Sequence, residues 1–347
     1  MKEADFYKCK GTARVDCLLC AHGCSLAEGA LGLCKVRQAK GGKLYAHNYG
    51  RLIAEHADPI EKKPLYHFLP GSKTYSVASP GCNLRCAWCQ NWDISQAKPG
   101  LSERMPYIAP ESLTSFALAS GCQSISYTYT EPTVFFEYCR DAAQNAKANN
   151  LNNIFVTNGY MSTQAFSDAS TWLDAANVDI KAFDEAVYQR YMGGHLQPVL
   201  ENCEAMVQAG IWLEVTTLLI PGLNDDSAQL EKLAAFIAEK LGRNVPWHIS
   251  KYFPNYQYDL SAPTSMRSIQ NAVFIGRKAG LKFIYVGNVD LDLPTRCPNC
   301  GEVLIERQGF QVLYNKIEES ACPACKTKIP GVWSRGNCVN FTSLNKT

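Results

Sequence analysis

Thr74-Tyr-Ser-Val-Ala-Ser-Pro-Gly-Cys82-Asn-Leu-Arg-Cys86-Ala-Trp-Cys89-Gln-Asn-Trp-Asp-Ile-Ser-Gln96 is the stretch whose reading decides the fold. It begins as a strand, TYSVAS (74–79), rich in β-branched and aromatic residues. Pro80 and Gly81 then break it into a loop carrying three cysteines with the spacing Cys-x3-Cys-x2-Cys. Six further runs of strand character follow: 124–129, 153–157, 177–183, 212–220, 247–252 and 282–287. Helical periodicity fills the gaps, as in PTVFFEYCRDAAQNAKANN, ENCEAMVQAG and SAQLEKLAAFIAEKLG. Strand and helix alternating at this spacing predict an α/β fold with a parallel sheet. Six or seven such units favour a full or partial (β/α) TIM-like barrel over an open doubly wound sheet. Polar residues near the C-terminal ends of the strands, Glu131, Asn158, Asp179 with Lys181, and Asn288, point the same way, because that rim is where barrels place their chemistry. No GxGxxG fingerprint follows the first strand and no Walker-A loop is present.

Outward from this core the chain divides into residues 1–70, rich in cysteine and glycine and ending in the linker-like EKKPLYHFLPGSK; 71–290, the α/β region; and 291–347, opening on LPTRCPNCG. With 34 basic and 32 acidic residues the net charge is +2, which supplies no electrostatic signal for nucleic acid or a membrane surface. The opening MKEADFYKCKGTARVDC interleaves charges and lacks the apolar centre of a secretory signal. No apolar run approaches the roughly 20 residues that span a bilayer. The expectation is a cytoplasmic chain.

Sixteen cysteines are many for that compartment, where disulfides are rare and clustered thiols point to metal or redox chemistry. Three groups have ligand-like spacing, while Cys9, Cys122, Cys139, Cys203 and Cys338 stand alone and read as small apolar side chains. In the central group, Cys82, Cys86 and Cys89 can reach three corners of a cubane and leave its fourth iron open. Ordinary electron-transfer clusters have four cysteine ligands, so a triplet implies an iron that meets another molecule. A three-cysteine zinc site completed by a histidine is the competing reading.

Cys297-Pro-Asn-Cys300-Gly and Cys322-Pro-Ala-Cys325 form two CPxC knuckles 21 residues apart. They predict a closed four-cysteine site in a zinc-ribbon-like or rubredoxin-like module, with zinc first and iron second. Cys17, Cys20, Cys24 and Cys34 lie within 18 residues. Zinc, an auxiliary iron–sulfur cluster and unliganded thiols are all open for them, and His22 lies inside the group.

The triplet, with Trp88 just before its last cysteine, resembles the signature of the radical S-adenosylmethionine (SAM) superfamily. QNWDISQ and the rim motifs resemble the branch related to pyruvate formate-lyase activating enzyme, and within it the AmmeMemoRadiSam system radical SAM enzymes. The resemblance extends over nearly the whole chain. It implies a 4Fe–4S cluster on Cys82, Cys86 and Cys89 that reductively cleaves SAM to methionine and a 5′-deoxyadenosyl radical, which abstracts hydrogen from a substrate.

Residue by residue, it places a family GGE motif at Tyr129-Thr130-Glu131, where only the acid and the following Pro132 match. The Thr130 carbonyl and Glu131 would meet the SAM amino group. Asn158 matches a TNG motif near the SAM pocket, although Val156 stands where the activating enzymes carry an acid. Asp179 and Lys181 match DxK, the lysine for the SAM carboxylate and the aspartate for the ribose. His248 matches a ribose-contacting histidine, and Asn288 is placed near the adenine. Tyr129, Tyr252, Thr216 and Thr217 are weaker cavity candidates. Competing structural readings are a helix N-terminal acid for Glu131, a buried ion pair for Asp179 and Lys181, and a satisfied core residue for His248. The resemblance also implies an electron donor such as flavodoxin or ferredoxin, and partnership with Memo-like and AMMECR-type proteins. The alternatives are a glycyl-radical enzyme activating enzyme, against which the missing glycines argue, and a non-enzymatic zinc-dependent binding protein.

Overall fold

Each of the seven β-rich runs is a strand in the computed structural model, which describes residues 1–11, 14–96, 98–259, 262–290, 294–334 and 337–339. We number the strands of the central sheet β1 (Ala54–Pro59), β2 (Lys73–Ala78), β3 (Ser124–Tyr127), β4 (Asn152–Thr157), β5 (Ala175–Asp179), β6 (Trp212–Leu219), β7 (Trp247–Lys251) and β8 (Ile284–Gly287). They lie side by side in chain order. From β2 to β8 every pairing is parallel, in registers such as Thr74↔Ser124, Ile154↔Ala175 and Thr216↔His248. Covered on both faces, these strands are buried almost throughout; in β6 every residue but Leu218 is buried.

Helices return the chain between strands, and local chemistry sets their starts. Pro110 occupies the first turn of Pro110–Ala119. Ser162, Asp226 and Ser265 each accept from the backbone N–H three residues on, capping Thr163–Ala169, Ser227–Phe236 and Met266–Lys278. Phe136–Ala148 buries Phe136, Cys139, Ala142, Ala143 and Ala146, an i, i+3, i+4 stripe laid on the sheet.

The sheet has two edges: among the described residues no strand pairing joins β1 to β8. A closed barrel is therefore not formed. β1 is also antiparallel to β2, Ala54 opposite Ala78, an addition that the polar run AEHADP did not announce. The segment that follows β1 crosses the base of the sheet. There Glu214 accepts from the backbone N–H of Tyr66 (3.0 Å) and His67 (2.8 Å).

Before β1 lie two small antiparallel sheets, Lys2–Glu3 with Lys43–Ala46 and Arg37–Lys40, and Tyr7–Lys10 with Arg14–Cys17 and Ser25–Ala27. They are fastened to Phe136–Ala148 by an ion pair between Arg37 and Glu137, both 1 % exposed. After β8, Thr295–Arg296, Val303–Gln308 and Gln311–Asn315 form a three-stranded sheet. Its own core includes Phe283, Tyr285, Leu304, Ile305 and Ile329. Residues 291–293, 335–336 and 340–347 of the segment expected to form the C-terminal module lie outside the described residues.

Candidate active site

A cavity of about 320 Å³ opens at the C-terminal end of the sheet. It is lined by residues from, or just beyond, all seven parallel strands, including Cys82, Thr130, Asn158, Lys181, Thr216 and Ser250, with Asn288 after β8. The sheet must curve for seven strand ends to share one cavity.

The loop after β2 brings Cys82, Cys86, Trp88 and Cys89 to this cavity. Its path is held by backbone bonds from Arg85 to Met192 (2.8 Å) and from Ala87 to Tyr191 (3.0 Å). Gly81 is required where the loop begins: at φ +106°, an added Cβ would lie 2.9 Å from the Cys34 carbonyl and 2.9 Å from Val36. Sulfur contacts are already polar. The Leu84 N–H donates to Cys82 Sγ (3.4 Å), Asn158 Nδ2 approaches the same sulfur (3.7 Å), and Cys89 Sγ lies 3.2 Å from Ser95 Oγ. Burial pushes the Cys86 thiol up to about 11, against the pull of Lys181. Trp88, 4 % exposed, packs edge-on to Tyr258 with ring centres 6.0 Å apart.

Asp179 and Lys181, on alternate residues at the end of β5, form an ion pair of 2.9 Å. Burial opposes the charge on Lys181, but Asp179 and Cys86 outweigh it and hold the ammonium above the usual lysine range. Beside them Thr216 Oγ1 is buried with no protein partner, an orphan polar atom facing a cavity.

Glu131 is committed within the protein. One carboxylate oxygen accepts from Thr133 N–H (3.0 Å), Thr133 Oγ1 (2.6 Å) and Thr157 Oγ1 (2.7 Å); the other accepts from Asn158 N–H (2.8 Å). It caps the turn Pro132–Phe135 and ties the exits of β3 and β4 together. Asn158 in turn donates to Asn83 Oδ1 (2.8 Å), steadying the cysteine loop. Thr130 Oγ1 donates to the Ser79 carbonyl (2.7 Å). Tyr129, standing where the resembling motif has glycine, adopts φ +61°, a conformation that disfavours a side chain by about 1 kcal/mol. Its hydroxyl donates to Asp58 and its carbonyl accepts from Asn91 Nδ2 (2.8 Å), which hold it there. Asn288 has φ +58° and donates to the Lys251 carbonyl (3.1 Å).

His248 does not reach the cavity. It is 4 % exposed and bonds Glu214 at 2.6 Å, below the cavity floor. Tyr252 is likewise buried elsewhere, its hydroxyl donating to the Tyr258 carbonyl. Thr217 accepts from Trp247 Nε1 (3.1 Å). Conversely, Lys62 and Lys63, read from sequence as part of a linker, line the cavity. Lys63 pairs with Asp58 at 2.7 Å and lies 4.5 Å over the Tyr129 ring. Burial pulls its ammonium down to about 8, with Asp58 resisting.

Away from this cavity, the sulfurs of Cys297, Cys300, Cys322 and Cys325 all lie within 4.8 Å of one another, with Cys297–Cys325 at 3.5 Å and Cys300–Cys322 at 3.7 Å. Four thiolates at zinc–sulfur distance around one tetrahedral ion sit about 3.8 Å apart, so these residues fit a single metal ion. Cys17, Cys20, Cys24 and Cys34 line a separate cavity together with His22. His22 Nε2 is engaged with the Asn83 carbonyl at 2.7 Å.

Three thiols on one loop thus meet an anchored ammonium at the rim. The model of the "Radical SAM superfamily" matches residues 76–234, from β2 to the middle of Ser227–Phe236. Residues 76–234 of this chain form a radical SAM superfamily domain. The "Uncharacterized protein MJ0808" of Methanocaldococcus jannaschii is 39 % identical over 335 residues, covering 95 % of this chain and 99 % of that protein. Among solved structures, a radical SAM methyltransferase from Sphaerobacter thermophilus aligns with TM-score 0.50 and 15 % identity over 63 % of this chain and 67 % of its own. A domain of pyruvate-formate lyase-activating enzyme from Bacteroides vulgatus aligns with TM-score 0.41 and 19 % identity, over 48 % and 99 %. Members of the radical SAM superfamily use SAM and a 4Fe–4S cluster, and are generally enzymes. Among the described residues no helix is long and apolar enough to cross a membrane.

Proposed function

We propose that this radical SAM protein is an enzyme whose Cys82, Cys86 and Cys89 hold a 4Fe–4S cluster and whose rim holds SAM. The observation that carries this reading is the meeting of those three thiols with the Asp179–Lys181 pair in one cavity. When bound, the cluster and SAM supply a 5′-deoxyadenosyl radical by one-electron cleavage of a C–S bond.

The chain's own residues position the cofactor. Lys181 offers a charged donor to the SAM carboxylate and Asp179 an acceptor to the ribose. The Thr130 carbonyl takes the ammonium, and Thr216 adds an unpartnered hydroxyl. Glu131 acts through Asn158 and Thr133 as a positioning residue. Asn288 borders the adenine end, with Trp88 as the aromatic wall of the loop. Lys62 and Lys63 close one side of the cavity, both paired with Asp58, at 3.0 and 2.7 Å. The zinc-only alternative is disfavoured by spacing: among the described residues it is the C-terminal four, not the central triplet, whose sulfurs crowd to single-ion distance. Membership of the AmmeMemoRadiSam branch, with Memo-like and AMMECR-type partners and a flavodoxin- or ferredoxin-like donor, rests on the sequence motifs.

SAM added to the dithionite-reduced protein is expected to change the cluster's EPR signal. Lys181→Met removes a charge-assisted contact worth about 1.5–3 kcal/mol, so SAM affinity read from that titration falls roughly 10- to 100-fold. An unchanged affinity would remove Lys181 from the SAM site. At the C-terminal site we assign zinc with a structural role, because four thiolates leave no open position. Cys322→Ser is expected to release one equivalent of zinc and to lower the melting temperature by several degrees, as read by metal analysis and calorimetry.

A further inference from the structure

We propose that Cys17, Cys20, Cys24 and Cys34 hold a second iron–sulfur cluster, with Arg37 donating N–H···S hydrogen bonds to it. The fold brings the four together. Cys17 closes the strand Arg14–Cys17, and its N–H donates to the Cys24 carbonyl at 2.8 Å. Leu19 and Ala21 dock on the exit of β4: the Ser162 N–H donates to Leu19 (3.0 Å), and Cys20 bridges to Met161. Cys34 enters from the turn before Arg37–Lys40. All four line one cavity and none is in a disulfide.

A second, independent observation points to a ligand there. Arg37 is 1 % exposed and lines the same cavity. One of its nitrogens pairs with Glu137, but Nε and Nη1 are buried without any partner. Cys17 and Cys34 lie within electrostatic reach of this guanidinium. Buried guanidinium donors normally find acceptors. Neutral thiols are poor ones, whereas thiolates bound to a metal are strong ones, and hydrogen bonds to cluster sulfurs recur as a tuning device.

Spacing favours a cluster over a single ion. The C-terminal four are drawn within 4.8 Å of one another, and among the described residues the N-terminal four are not. A cubane holds its four thiolates farther apart than one ion does. His22 bonds the Asn83 carbonyl through Nε2, and the four cysteines make a complete ligand set for a cluster without it. Asn83 also forms a wall shared with the radical site: it lines the N-terminal cavity, follows Cys82, and accepts from Asn158.

The test uses the full chain carrying Cys82→Ala, Cys86→Ala and Cys89→Ala, reconstituted anaerobically with iron and sulfide. This variant lacks the SAM-binding triplet, so its result is separate from the proposed radical function. About four irons and four acid-labile sulfides per chain are expected to remain, with an EPR signal after dithionite reduction. Both should disappear when Cys17→Ser and Cys34→Ser are added. Background iron in the triplet variant, a second equivalent of zinc in place of iron, or full iron retention after the added serines would each overturn the proposal. Should the added serines unfold the chain, Arg37→Lys in the same background gives the second reading. It keeps all four thiols, and a negative shift in the cluster's midpoint potential is expected; an unchanged potential overturns the part given to Arg37.

Discussion

Glu214→Ala is expected to destabilise the fold by about 3–5 kcal/mol, although residue 214 contributes nothing to the cavity lining. Glu214 is completely buried in β6. It accepts from Tyr66 N–H (3.0 Å), His67 N–H (2.8 Å), Trp212 Nε1 (3.0 Å) and His248 Nε2 (2.6 Å). Removing the carboxylate strands four buried donors at once, and a stranded buried donor costs about 1–3 kcal/mol. Those bonds also fasten the segment after β1 under the sheet. A fall of about 10 °C in melting temperature is expected, with a smaller fall for Glu214→Gln, which keeps one acceptor. Burial raises the Glu214 carboxyl, but His248 and then His67 lower it further, leaving it below the usual carboxylate range. A depressed native value means that its stabilisation is present at neutral pH and is lost as the pH falls below about 4.3. The difference between wild type and Glu214→Gln in urea melts should therefore narrow toward pH 3. A constant difference would contradict the charged state assigned here.

Cys86→Ala is expected to abolish cleavage of SAM while leaving the fold intact. Cys86 lies on the loop between Pro80 and Trp92, whose backbone is held by bonds to Tyr191, Met192 and Ile94 that alanine preserves. The side chain is buried beside Lys181. On the proposed reading the substitution removes one of three cluster ligands, in a site already short of a fourth. The rate of 5′-deoxyadenosine formation should fall by at least about a thousandfold, roughly 4 kcal/mol of barrier. Circular dichroism and the zinc content should remain those of the wild type. Cleavage within tenfold of wild type would exclude Cys86 as a cluster ligand.

Much of this is legible in the residues alone, and the exceptions have distinct physical causes. β2 to β8 were legible because central parallel strands are buried on both faces and so are written in continuous β-branched and aromatic runs. β1 was not, because AEHADP is a polar edge strand ending in proline. With it went Lys62 and Lys63, which follow the end of β1 beside the start of β2 and so line the cavity from the side opposite the cysteine loop. His248 shows a different limit. Alternation puts His248 and Ser250 on one face of β7, just as it puts Glu214, Thr216 and Leu218 on one face of β6. Ser250, Thr216 and Leu218 line the cavity, while His248 and Glu214 lie one step deeper and bond each other. Period-two spacing tells which face a residue takes, not how far along the strand the cavity floor lies. Glu131 was legible as an acid at a strand end, but its four hydrogen bonds depend on Thr157 and Asn158, which only the parallel pairing of β3 with β4 brings near.

The most direct measurement is product analysis after single-electron reduction. The full chain, reconstituted anaerobically and reduced with dithionite, is incubated with SAM, and 5′-deoxyadenosine and methionine are quantified by chromatography. The expected result is formation of both in equal amounts, dependent on reductant and absent from Cys86→Ala. No 5′-deoxyadenosine above that variant, from protein carrying a full complement of iron and sulfide, would contradict the assignment.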